Sequence, residues 1–167
     1  SLLSFKGVYK KNKSFVFDFI SLKENKNNFL IKNLILDKNF KIVDIDSLKL
    51  NYMNNSEIKN DLSIKKNKKN FKIEGKSFDL TKLIDKILDD KSSESSSIFK
   101  NLNSNITIGI NKTYLDKTTY VNDLSGNIDF KNNNIDKLSL YSTFPNQKKL
   151  TLTINTNANN EKITTLY

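Results

Sequence analysis

Cysteine, histidine and arginine are absent from these 167 residues. Pro145 and Ala158 are the only proline and alanine, and glycine occurs four times. Without cysteine there are no disulfides and no thiolate metal sites. Without histidine, most transition-metal sites, the serine and cysteine triads and the usual general base near neutral pH fall away as well. No stretch approaches the ~20 apolar residues that a membrane-spanning helix needs; runs such as Phe29-Leu30-Ile31 and Leu34-Ile35-Leu36 stop at three. No basic and apolar leader opens the chain at Ser1-Leu2-Leu3, so a signal peptide or anchor, if one exists, is expected to lie outside this segment.

Charge of one sign is in excess. The formal net charge is +10, carried by lysine alone. Readers of guanine and phosphate rely on the bidentate arginine fork, which this chain lacks, so nucleic acid is not the expected partner. Asn, Ile, Phe and Lys, all with A/T-rich codons, are abundant, and codon composition accounts for much of the lysine. The excess is uneven: residues 1–76 hold 17 lysines against 8 acids, and residues 77–167 hold 11 against 10. "KKNKKN" (65–70) concentrates it in what reads as a solvated turn between two strands.

What is present is strand pattern. Phe15, Phe17 and Phe19 alternate with Val16, Asp18 and Ile20. Further strands are expected at 28–36, at 40–52 with a bulge near Asp44 to Ser47, at 57–65 and at 71–75. Later, Ile106, Ile108 and Ile110 alternate with Thr107, Gly109 and Asn111; Leu124, Ile128 and Phe130 keep phase; Leu138, Leu140 and Phe144 alternate with Ser139, Tyr141 and Thr143. Leu150, Leu152 and Ile154 follow, then a last strand near Tyr167. Short Asn-rich links favour antiparallel meander pairing. One amphipathic helix is expected at about 78–90, where Leu80, Leu83, Ile84, Ile87 and Leu88 recur at the helical period behind Ser77 or Asp79 as a cap.

The fold class expected is therefore mainly β: a long antiparallel meander of nine to eleven strands, curled into an open groove or half-barrel, with that one helix. The chain reads as a single β-rich segment, 1–167, of a larger protein. The serine-rich stretch 91–97 sub-divides it into 1–90 and 98–167.

Chemistry finds little purchase. Asp44 and Asp46 are spaced to share a strand face, but no histidine or polar cluster joins them, and a solvent-facing pair is the expected reading. Phosphate loops, metal-ligand spacings and nucleophile elbows do not occur. Asn-X-Ser/Thr triplets at Asn54, Asn105 and Asn111 read as chance in so Asn-rich a chain. No catalytic residue, metal or cofactor is expected. The apolar stripes fit either an ordinary closed core or a lipid-facing groove, and periodicity leaves both open.

Two stretches carry a resemblance. "EGKSFDLTKLIDKIL" (74–88) resembles the strand-to-helix junction of AsmA-like proteins. "LSGNIDFKNNNIDKLSLYSTFPNQKKLTLTI" (124–154) resembles their repeated C-terminal hairpins, with Gly126, Phe130, Asn133, Ile135, Leu138 and Leu140 filling the pattern. The resemblance implies an internal segment of a periplasmic protein held at the inner membrane by a region outside this segment. It further implies a non-catalytic groove carrying phospholipid acyl chains toward the outer membrane, alongside neighbouring segments of the same chain and envelope proteins. On that reading the groove candidates are Phe15, Phe17, Phe19, Ile106, Ile108, Ile110, Leu124, Ile128, Phe130, Leu138, Leu140 and Phe144. Lys131 and Lys137 are the headgroup candidates. Two other classes stay open: a closed structural or adhesive β-module of a surface protein, and a basic nucleic-acid-binding domain.

Overall fold

A computed structural model describes residues 1–11, 14–81, 98–157 and 161–167. Its strands are β1 (Leu2–Lys10), β2 (Ser14–Glu24), β3 (Asn27–Leu36), β4 (Ile42–Asp44), β5 (Ser47–Met53), β6 (Lys59–Asn67), β7 (Asn70–Asp79), β8 (Ser104–Tyr114), β9 (Tyr120–Lys131), β10 (Asn134–Thr143), β11 (Lys149–Thr156) and β12 (Lys162–Leu166). All twelve belong to one open sheet in which spatial order follows chain order, with β4 and β5 both paired to β3. The mainly β expectation holds, and the sheet does not close.

Turn chemistry explains the order. At the tip of the β9–β10 hairpin, Asn132 and Asn133 have φ of 50° and 65°. A two-residue loop of this kind needs positive φ at both centres, and asparagine tolerates that better than other side chains. The tip is also tied down. Asn133 donates its N–H to the Leu102 carbonyl at 3.0 Å and accepts the Leu102 N–H on Oδ1 at 2.6 Å. Asn103 Oδ1 takes the Asn132 N–H at 3.0 Å.

Three features depart from the sequence reading. First, β1 is a full strand, paired with β2 from Leu2↔Lys23 to Lys10↔Ser14, where no strand was expected. Second, 40–52 is not one bulged strand but two. Asp44 Oδ1 accepts the Ile45 N–H at 2.9 Å, and the chain leaves the ladder before β5 begins. Third, the sheet is not wholly antiparallel: β7 and β8 pair in parallel, Phe71↔Ile106 through Asp79↔Tyr114. A parallel pair needs a crossover of a dozen or more residues, and the connection 80–103 supplies it.

That connection holds most of the expected helix, whose residues 82–90 lie outside the described residues, as does the serine-rich stretch. Phe78 and Asp79, placed at the helix start by the sequence, instead finish β7. Asp79 Oδ1 then accepts both the N–H (2.9 Å) and the hydroxyl (2.6 Å) of Thr81, the bonds a capping carboxylate makes.

The core lies on one side of the sheet. Leu62, Ile110 and Leu124 are buried together, with Leu50, Ile64, Ile73, Phe78, Leu80, Ile108 and Leu140 packed against them. Strand phase breaks just beyond this cluster. The β6–β7 register shifts at Asp61/Leu62, and Asn111 and Asp123 drop out of the β8–β9 ladder, where Asp123 has φ 53°. Past the break, Phe78, Thr113 and Val121 stand side by side. Because Phe78 packs on the Ile110 cluster, Thr113 and Val121 are buried on the same side. Strict alternation from Ile110 would send Thr113 to the opposite face.

Candidate functional site

In a sheet, residues directly opposite one another point to the same face, so the registers give the faces without further assumption. One row can be followed across every strand of the eleven-strand path: Phe5, Ile20, Ile31, Leu48, Ile64, Ile73, Ile108, Gly126, Leu140, Leu152, Leu166. No polar side chain interrupts it. A second row on the same face runs Leu3, Leu22, Phe29, Leu50, Leu62, Gly75, Ile110, Leu124. A third covers the later strands: Phe71, Ile106, Ile128, Leu138, Ile154.

The opposite face is polar. Its row reads Lys6, Phe19, Lys32, Ser47, Lys65, Lys72, Thr107, Asn127, Ser139, Thr153, Thr165, with one apolar member. Ion pairs on β1–β2 and β7, Lys6–Asp18 at 3.1 Å and Lys72–Glu74 at 2.7 Å, are exposed. The hydrogen bond from Lys72 holds the Glu74 carboxyl below its ordinary pKa. Exposed pairs of this kind add little stability. Lys112, on β8, lies over the rings of Tyr120 (3.8 Å) and Tyr114 (4.9 Å).

The candidate groove residues fall as follows. Ile108 and Leu140 stand in the first apolar row, Ile110 and Leu124 in the second, and Ile106, Ile128 and Leu138 in the third. Phe130 faces Ser104 and Ile135, one step further along. The three phenylalanines of β2 separate. Asp18 is skipped in the β1–β2 ladder, so Phe17 touches Phe5 of the apolar row edge-on at 6.5 Å, while Phe19 stands between Lys6 and Lys32. Phe15 lies between the rings of Tyr9 and Phe40 at 4.9 and 5.0 Å. Phe144 closes the β10–β11 turn, exchanging backbone bonds with Lys148 and Gln147. Lys131 ends β9 at the hairpin tip, and Lys137 stands opposite Asp129 and Asn155, alternating with the apolar rows.

Sequence reasoning left Ile20, Ile31, Leu48, Ile64, Ile73 and Leu152 out of the site. Each looks like an ordinary strand residue, and only inter-strand register aligns them. Half-burial is the rule along the middle of the first row, while its two ends, Phe5 and Leu166, are each 65% exposed.

Where the third row ends at Phe71, a cavity of about 350 Å³ opens. It is lined by apolar side chains of β3, β4 and the 99–104 segment, by Asp44, and by Lys66 and Lys69. The 98–100 segment is held there by two bonds: Ile42 donates to the Ile98 carbonyl at 2.7 Å, and Lys100 donates to the Ile42 carbonyl at 2.8 Å. Both carboxylates of the Asp44/Asp46 pair have side-chain partners. Asp44 binds the Lys66 ammonium at 2.5 and 2.7 Å, and Asp46 accepts Asn33 Nδ2 at 2.6 Å. Among the described residues no group of three or more acidic side chains is placed to hold a metal ion, and no helix is long and apolar enough to cross a membrane.

Comparison of the chain with protein-family models, with curated proteins and with solved structures returns no match.

Proposed function

We propose that this chain is a non-catalytic lipid-binding segment, built as AsmA-like proteins are expected to be, whose apolar sheet face curls into a groove that carries phospholipid acyl chains. The observation that supports the reading is the apolar row crossing all eleven strands of the path without a polar side chain. A core needs such a surface only where something packs on it. Here the row runs on to both edges, where Phe5 and Leu166 stay exposed. Acyl chains ask for no directional contacts, and each buried methylene contributes about 0.8 kcal/mol. A face that offers only methyl groups and rings would hold such chains while letting them slide. On this reading the segment works in the periplasm, tethered to the inner membrane by a region outside it and continued by neighbouring segments. The open sheet departs from a closed barrel, in which β1 would pair with β12.

The test is mass spectrometry of an organic extract from the folded, purified protein, set against a mock purification. Near-stoichiometric phospholipid is expected. Ile108→Asp with Ile128→Asp, which puts a carboxylate in the first and third rows, should abolish it while circular dichroism shows the sheet intact. A folded wild type free of lipid, or variants that keep it, would sink the proposal.

A further inference from the structure

We infer that the cavity at the β6–β7 hairpin is a headgroup port for a singly tailed or splayed amphiphile with an anionic head, a phosphate or carboxylate. This rests on the lipid-binding reading of the apolar face and adds to it a place where the chain of the ligand ends and its charge is met. The cavity volume of about 350 Å³ lies within the range of small-ligand sites, roughly 300 to 1,000 Å³. Its wall is mixed: Phe71, Phe99 and Leu102 supply apolar surface, and Asn101, Asn103 and Ser104 supply polar surface. Phe71 is also the first member of the third apolar row, directly opposite Ile106. Cavity and groove therefore share a wall, and a tail lying along Ile106, Ile128 and Leu138 would bring its head to this mouth.

The mouth is basic. Lys66 and Lys69 line it against the single carboxylate of Asp44, and Asp44 is already engaged with Lys66. That ion pair fixes Lys66 in place and leaves the exposed Lys69 without a carboxylate among the described residues. Lys68 lies beside Lys69 in the same turn between β6 and β7. An anionic head gains from this unbalanced charge, whereas a neutral head of equal size gains nothing. A pocket with this apolar wall beside Lys69 is suited to an amphiphile rather than to a free anion, which would leave Phe71, Phe99 and Leu102 unused.

Three probes separate the terms: lysophosphatidate, a monoacylglycerol with the same tail, and inorganic phosphate, each titrated by calorimetry into the delipidated, folded protein. Lysophosphatidate is expected to bind tightest and phosphate not measurably. Lys69→Gln with Lys68→Gln should weaken lysophosphatidate about tenfold, the loss of one charge-assisted contact, and leave the monoacylglycerol unchanged. Equal binding of the charged and neutral lipids, or indifference to the lysine substitutions, would overturn the port. Phosphate binding as tightly as lysophosphatidate would overturn it too, in favour of a simple anion site. The groove itself is read separately: Ile108→Asp with Ile128→Asp should weaken both lipids alike, so a port without a groove and a groove without a port give different patterns.

Discussion

Thr113 is fully buried on β8, and among the described residues its Oγ1 is the one buried side-chain oxygen without a partner. A buried hydroxyl left unpaired costs about 1–3 kcal/mol of desolvation, while its methyl group packs beside Val121. Thr113→Val keeps the shape and removes the unpaired oxygen. We expect it to raise stability by about 1 kcal/mol, seen as a higher urea midpoint at unchanged slope; a lower midpoint would mean the hydroxyl has a partner in solution. Gly126 makes the opposite case. Its φ is +147°, and a Cβ there would overlap the Ser139 carbonyl of β10. Gly126→Ala should cost about 2 kcal/mol or more, from backbone strain and from forcing β9 and β10 apart. The glycine also sits in the long apolar row between Ile108 and Leu140, so it thins the face at that strand where any other residue would thicken it.

At the scale of the element, turns decide more than strands do. In the β8–β9 turn, Asp116 accepts the N–H groups of Thr118 and Thr119, both at 2.7 Å, and the Thr118 hydroxyl at 3.0 Å. These bonds hold its carboxyl well below the usual carboxylate range. A depressed folded pKa means that the turn's contribution is complete above the ordinary aspartate value, about 3.9, and is lost as pH falls through the lowered one. Asp116→Asn should therefore differ most from the parent above about pH 4 and converge with it in stronger acid. Urea midpoints across pH 2–7 would show this, and a pH-independent gap would refute it. Asp37 behaves alike, its carboxyl lowered chiefly by the Lys41 N–H.

Elements also mark where sequence reading stopped. Alternation located most strands, because one face is apolar and period two survives translation into structure. It missed β1, where Lys6, Gly7 and Lys10 interrupt the apolar residues. It placed Phe15, Phe17 and Phe19 together because the skipped Asp18 has no sequence signature. The parallel β7–β8 pair was hidden for a related reason: the two strands read alike whichever way they pair, and only the length of 80–103 hinted at a crossover.

At the scale of the whole molecule, the candidate face could not be read from one strand at a time. Ile108 and Leu140 were legible as stripe members, but their alignment with Ile20, Ile31, Leu48, Ile64 and Ile73 depends on seven successive registers, and a one-residue slip in any of them would turn the remainder over. Among the described residues this open sheet also leaves two edges, β1 and β12, unpaired. The outer edge is a nine-residue β1 whose Leu3, Phe5, Val8 and Tyr9 are each at least 60% exposed, and β12 shows Ile163 and Leu166. Natural edges are shortened, charged or bulged to prevent pairing with another chain. Here Lys6 and the shift at Gly7 are slight protection. We expect the isolated chain to pair edge to edge with a second copy, giving concentration-dependent sedimentation. Phe5→Lys with Val8→Lys should return it to a monomer, because two ammonium groups on one edge repel those of the partner and keep their water. Persistent association of the lysine variant would place the contact on the apolar face instead, and a wild type monomeric at all concentrations would show that β1 is guarded by something other than charge.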